Sequence, residues 1–158
     1  MTSTTAERTG RPGTVEAAFL LLLALIAVDL VLWVLNVFVV APTGLDSMRA
    51  AAGEEGGLRQ AAVSGAATLL FAAVGVLLAV LVRQGRNWAR LLLAGAAVLV
   101  VLLDLATVNM DASMWPPAGM SAYDLLGEAV PGLLGLSALV LLFLPASNAY
   151  FSRGARAE

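Results

Sequence analysis

Four long apolar runs, separated by shorter polar stretches, organise this chain. The first covers Val15 to Val40 and is broken by Asp29 and Asn36. The second, Ala61 to Val82, carries no charge over 22 residues. The third, Trp88 to Asn109, has Arg90 at its start and Asp104 in its later part. The fourth, Leu125 to Ala146, has Glu128 near its start and contains Pro131 where a kink or a late helix start is expected. A helix of 22 residues is about 33 Å long at about 1.5 Å per residue, close to a hydrocarbon core of about 30 Å. The runs are continuous rather than alternating, which disfavours a β-barrel. An open sheet cannot satisfy its backbone in lipid, so each run is expected to be helical. The pattern therefore predicts an all-α, four-transmembrane-helix bundle with spans at 15–40, 61–82, 88–109 and 125–146.

The connecting stretches fill in the organisation. Residues 1–13 read as a flexible tail, 14–151 as the membrane domain and 152–158 as a second tail. The first apolar run exceeds the 7–15 residues of a signal-peptide core and no A-x-A site follows it, so it is expected to remain as a spanning helix. Ala41 to Gln60, with Pro42, Gly44, Gly53, Gly56 and Gly57, reads as a loop with one short surface helix over Leu45 to Ala52. Met110 to Asp124, with Trp115, Pro116, Pro117 and Tyr123, suits a loop lying in a membrane interface. Tyr150 and Phe151 read as a further interfacial anchor. Between the second and third runs, Gly85 is a candidate helix C-cap and Asn87 a candidate N-cap, which makes a tight hairpin.

Charge then orients the bundle. All nine basic residues are Arg. With four spans, Arg8, Arg11, Arg83, Arg86, Arg90, Arg153 and Arg156 fall on one side, and only Arg49 and Arg59 on the other. Seven against two is a positive-inside signal that places both termini in the cytoplasm. The cluster Arg83, Arg86, Trp88 and Arg90 is expected to anchor to anionic lipid or to dock a cytoplasmic partner.

Composition agrees and excludes several classes. The chain is 60% hydrophobic and 13% charged, against roughly 25% charged for a soluble domain, and its mean hydropathy is +0.90. A net charge of −2 gives no reason to expect nucleic-acid binding. The absence of Cys, His and Lys removes disulfides, thiolate metal sites, the commonest general base and Schiff-base chemistry. No cofactor or metal is expected, and no enzymatic activity.

Three strings bear a resemblance. Gly85-Arg86-Asn87-Trp88-Ala89-Arg90 opens a spanning helix, Arg11-Pro12-Gly13-Thr14-Val15 precedes the first, and Leu144-Pro145-Ala146-Ser147-Asn148-Ala149-Tyr150-Phe151 leaves the last. Together they resemble uncharacterised small four-span integral membrane proteins of actinobacteria. The resemblance implies a four-helix topology in a bacterial cytoplasmic membrane and no particular activity.

The polar residues within the runs are the remaining candidates. Asp29 and Asp104 lie 14 and 16 residues into helices that both run away from the arginine side, at depths of roughly 21 and 24 Å. A charged Asp at a helix centre costs about 2.5–3.5 kcal/mol on insertion scales, so such residues are functional candidates by default. Asn36, Ser64, Thr68 and Thr107 fall in the same half of the bundle, whereas Leu69–Val82, Leu91–Leu103 and Ala138–Leu144 carry no polar side chain. That asymmetry argues against a through-pore. Two readings stand open. One is an outward-facing pocket floored by Asp29, in a transport component for an ion or small molecule. The other is a set of structural hydrogen bonds, Asp29 reaching Ser64, Thr68 or a carbonyl, in a non-enzymatic interaction or accessory subunit. Ala61/Gly65, Gly75/Ala79, the run Ala94 to Ala97, Gly132 and Gly135 mark expected close approaches, within the chain, to a membrane-protein partner or to a second copy.

Overall fold

The computed structural model describes residues 12–107 and 121–154, with side chains described for 12–103 and 121–152. Of the expected tail at 1–13, the interfacial loop at 110–124 and the second tail at 152–158, residues 1–11, 110–120 and 155–158 lie outside the described residues. Every described element is helical: α1 Gly13–Phe38, α2 Gly44–Arg83, α3 Asn87–Thr107, α4 Ala122–Phe143 and α5 Pro145–Gly154. Helices α1, α2 and α4 are long and apolar enough to cross a membrane, and α3 is apolar over Asn87–Leu103. These helices mark the chain as an integral membrane protein.

α1 is the central helix, packed along its length against α2 on one side and α4 on the other. The register toward α2 is antiparallel and regular. Glu16 meets Arg83, Ile26 meets Gly75 and Trp33 meets Gly65. The register toward α4 is equally regular, with Leu25 against Gly135, Leu32 against Gly127 and Asn36 against Tyr123, and Thr14 meets Ser147 of α5 beyond the end of α4. Small residues admit large ones at these contacts. A Cβ on Gly65 would lie 2.8 Å from the Trp33 indole, and one on Gly75 would lie 3.0 Å from Ile26. In lipid, where apolar contact alone does not drive helices together, such close approach is what gains dispersion energy. The expected small pairs of the second run thus face α1. Gly95 and Gly132, in contrast, have nothing within 4 Å of a would-be Cβ. Among the described residues no neighbouring helix approaches those two glycines, so of the expected contacts the one within the chain is not seen there.

The stretch 41–60 also departs from the loop reading. Thr43 caps α2 in a reciprocal box with Asp46, and the helix runs to a break at Gly53, where φ is 74° and ψ 174°. It then resumes and continues unbroken into the second apolar run. The segment Gly44–Ala52 matches the expected surface helix, but residues 54–60 are helical rather than loop. Hydropathy reports where a helix enters lipid, not where it begins. Glu54 and Glu55 start the new helix, where acids favour the helix dipole, and its first turns project beyond the apolar run. Arg49 and Glu54 pair across the break at 3.0 Å. The Arg49 backbone lies 2.7 Å from a would-be Cβ of Gly57, so the first segment folds back on the second.

α4 begins before the expected Leu125. Ser121 caps it in a second reciprocal box with Asp124, and the helix carries Pro131 within it. At the α2–α3 turn, Gly85 has φ 86°. Its N–H donates to Val82 O at 2.9 Å while Arg86 N–H donates to Leu81 O at 3.0 Å, a Schellman closure that uses a left-handed glycine. Asn87 does not cap α3: it lies within the first turn and its buried Oδ1 has no partner.

The buried core concentrates at the end of the bundle that carries Arg83 to Arg90, called the basic end below. Val15, Ala18, Val82, Ala89, Leu142 and Phe151 form one buried cluster there. Leu22, Ala79 and Ala138 extend it one turn further into the bundle. α3 joins this core through Ala89 and Leu93, touches α2 and α4, and has no backbone contact with α1.

Candidate functional site

Among the described residues, Asp29, Asn36, Ser64 and Thr68 do not form one hydrogen-bonded cluster. Ser64 donates to Ala61 O at 3.0 Å and Thr68 donates to Ser64 O at 2.9 Å, so both hydroxyls are satisfied by their own helix. Neither reaches Asp29. Asn36 accepts from the Tyr123 hydroxyl at 2.9 Å and ties the far end of α1 to the start of α4. Trp33, one turn from Asp29, is committed to Gly65 and stands edge-on to Phe38 at 5.7 Å. Side chains beyond Leu103 in α3 lie outside the described ones, so Asp104 and Thr107 enter only by position.

Asp29 is exposed and makes no hydrogen bond among the described residues. Its position on α1 makes that informative. It lies seven residues after Leu22 and eleven after Ala18, hence on the same helical stripe. Those two are 6% and 0% exposed, covered where α2, α3 and α4 converge at the basic end. At Asp29 the same inward stripe is uncovered. Among the described residues this stripe is covered at the basic end and exposed at Asp29, and a carboxyl marks the transition.

The basic end is built differently from the expected surface anchor. Arg83 forms a forked ion pair with Glu16, Nη2 to Oε1 at 2.8 Å and Nε to Oε2 at 3.0 Å. Its guanidinium lies 4.7 Å from the Phe19 ring centroid. Its carbonyl accepts from the Tyr150 hydroxyl at 3.1 Å, and the Tyr150 ring covers Gly85. Arg90 donates from Nη1 to Leu142 O at 3.2 Å and to Asn148 Oδ1. It is held against Phe143 and Phe151, 4.7 and 4.8 Å from their centroids. Ser147, fully buried, shares a 2.8 Å hydrogen bond with Thr14 and donates to Leu141 O at 2.7 Å.

The arginine cluster is therefore divided in role. Arg83 and Arg90 hold α5 and the α2–α3 turn onto the bundle, while Arg86 and Trp88 are exposed. Tyr150 and Phe151, expected as an interfacial anchor, are instead a half-buried latch and a core residue at 1% exposure. Glu16 was not singled out by the sequence pattern. Its signal was available: it is the acid nearest the start of the first run, and Arg83 directly ends the second, so antiparallel spans bring them to one level. Among the described residues no group of three or more acidic, His or Cys side chains is placed to hold a metal. Set against protein families, curated proteins and solved structures, the chain matches none.

Proposed function

We propose that this chain is a non-enzymatic accessory or interaction subunit of a bacterial cytoplasmic membrane, crossing it four times with both termini in the cytoplasm. The orientation rests on the arginine distribution, seven against two. The role rests on one observation, the exposure of Asp29 on the inward stripe of α1. A carboxyl at that depth costs about 2.5–3.5 kcal/mol unless it is met by a donor or by water. The described part of the chain supplies no donor. A helix of a second membrane protein, lying where α3 leaves α1 uncovered, would bury the stripe and meet the carboxyl. Close small-residue contacts at Gly65 and Gly75 pack α1 against α2 on either side of its level.

The test is purification from its own membranes in mild detergent, with wild type, Asp29→Asn and Asp29→Leu compared at equal expression. The accessory reading expects a stoichiometric membrane partner that Asp29→Leu loses. A wild-type protein that purifies alone under all mild conditions removes the reading. The same exposed carboxyl favours a second reading, a transport component that binds an ion or small molecule at Asp29. It expects Asp29→Asn to abolish a proton- or substrate-dependent flux in vesicles that contain this protein alone.

A further inference from the structure

A second surface, at the basic half of the bundle, is independent of Asp29. Between α3 and α4 runs an open groove of about 290 Å³. Ala94, Ala97, Val98 and Val101 line it from α3, and Leu139 and Phe143 from α4. It exists because α3 presents Ala94 and Ala97 where α4 presents Leu139 and Phe143. Its basic end is closed by Phe143, whose other neighbour is Arg90. Arg90 lies behind that ring, one turn before Ala94 on the same face of α3.

The charges of the two arginines that build this end differ in their fate. Arg83 is neutralised by Glu16. Arg90 is half-buried and forms no ion pair among the described residues, its acceptors being a carbonyl and an amide oxygen. Its Nε N–H is left without a partner. Trp88, 46% exposed, stands on the same turn at the level where an indole anchors among headgroups. A guanidinium with no ion-pair partner among the described residues, one turn beyond the end of an apolar groove on the same face of α3, matches one kind of molecule, with an anionic head and a hydrocarbon tail.

We propose that the α3–α4 groove is a binding site for an anionic phospholipid, one acyl chain lying along Ala94 to Val101 and the headgroup phosphate paired with Arg90. Basic pockets between transmembrane helices select anionic lipids by this combination of charge and fit. The bound lipid completes the loosest interface of the bundle: it fills the space between α3 and α4 and supplies the counter-charge that Arg90 lacks. The site requires the membrane placement of the helices and is independent of the accessory-subunit reading. Loss of an Asp29-dependent partner would leave it intact.

The experiment is native mass spectrometry of the purified chain in detergent, with phosphatidylglycerol and phosphatidylcholine of identical acyl chains supplied at equal mole fraction. Wild type is expected to retain phosphatidylglycerol about fivefold over phosphatidylcholine, the factor set by one arginine at an anionic surface. Arg90→Gln removes that preference. Because Arg90 also holds α5, Ala97→Phe is the second variant: it fills the groove two turns from Arg90, leaves the Arg90 hydrogen bonds to Leu142 O and Asn148 Oδ1 in place, and is expected to lower phosphatidylglycerol retention while unfolding at the wild-type temperature in lipid-free detergent. Equal retention of the two lipids by wild type overturns the proposal, as does unchanged phosphatidylglycerol retention in Ala97→Phe. Inorganic phosphate that displaces the lipid at millimolar concentration would reduce the site to an anion contact without a groove, and equally overturns it.

Discussion

Arg83 closes on Glu16 as a fork, at 2.8 and 3.0 Å, across 67 residues of sequence. The pair fixes the end of α2 to the start of α1. Both side chains remain well over a third exposed, at 39% and 38%, so solvent screening limits the ion pair to about 0.5–1 kcal/mol. The Phe19 ring beneath the guanidinium adds about 0.5–1 kcal/mol. Arg83→Gln is therefore expected to lower stability by about 1–2 kcal/mol, and Glu16→Gln by about half of that. A double-mutant cycle measured by unfolding in mixed micelles should give a coupling of about 0.5–1 kcal/mol. Strict additivity would mean that the fork holds nothing together.

The Trp33 indole lies where a Cβ on Gly65 would have to go, 2.8 Å away. Gly65→Ala forces α1 and α2 apart or twists the indole off its rotamer, which typically costs about 1–3 kcal/mol. Gly132→Ala is the control, since nothing lies within 4 Å of it, and it should stay within about 0.5 kcal/mol of wild type. Adding Trp33→Leu to Gly65→Ala should recover most of the loss. If Gly65→Ala and Gly132→Ala unfold together, the α1–α2 contact is looser than its geometry.

How much of this was readable in advance differs by residue. The apolar runs located α1, the later part of α2, α3 and α4, because lipid imposes both length and composition on a spanning helix. Gly65 and Gly75 were readable as contacts because each is part of a small-xxx-small pair, which permits close helix approach in lipid. Gly95 and Gly132 show the limit of that reasoning: spacing reports that a helix permits close approach, not that a neighbour accepts it. Asn36 and Asp29 shared a face in the sequence, yet Asn36 is bound to Tyr123 and Asp29 to nothing described. Which polar residue finds a partner depends on where the second helix starts, and the Ser121–Asp124 cap that sets the start of α4 lies before the apolar run. The burial of Phe151 was hidden for a related reason: an aromatic after Pro145 reads as interfacial unless α5 is known to turn back onto the bundle.

Gly53 holds a conformation, φ 74° and ψ 174°, that is open essentially to glycine alone. Gly53→Ala must either strain that break, at about 1–3 kcal/mol, or abandon it. Abandoning it would straighten α2, pull Arg49 off Glu54 and lift the 44–52 segment from Gly57. Hydrogen exchange resolved by segment should therefore rise by about tenfold or more over 44–52, as about 1.4 kcal/mol of local stability implies, and stay unchanged over Leu69–Val82. Equal exchange in the two proteins would show that the break is not held by Gly53.

Gln84 and Ser152 lie on exposed positions at the basic end, and Ser47 lies at the opposite end of α2. The chain has no cysteine, so single thiols report sidedness cleanly. In intact cells an impermeant maleimide is expected to label Ser47→Cys and to spare Gln84→Cys and Ser152→Cys until the membrane is opened. Labelling of Gln84→Cys from outside would reverse the orientation inferred from the arginines.

Asp29 separates the two proposed roles by sign rather than by size. On an otherwise apolar helix, replacing a lone carboxyl by Leu recovers part of an insertion cost of about 2.5–3.5 kcal/mol. The stripe that buries Ala18 and Leu22 would continue unbroken through position 29. The isolated chain should therefore become more stable in Asp29→Leu, by about 1–3 kcal/mol in micellar unfolding, while any partner that meets the carboxyl is lost. Asp29→Asn divides the contact further. A partner that offers a hydroxyl or amide keeps its hydrogen bond to Asn, whereas one that offers a cation loses its charge pair and dissociates. If Asp29→Leu instead weakens the isolated chain, the carboxyl is already satisfied within it. The uncovered stripe is then closed by the chain itself, and neither a partner helix nor a ligand is needed at Asp29.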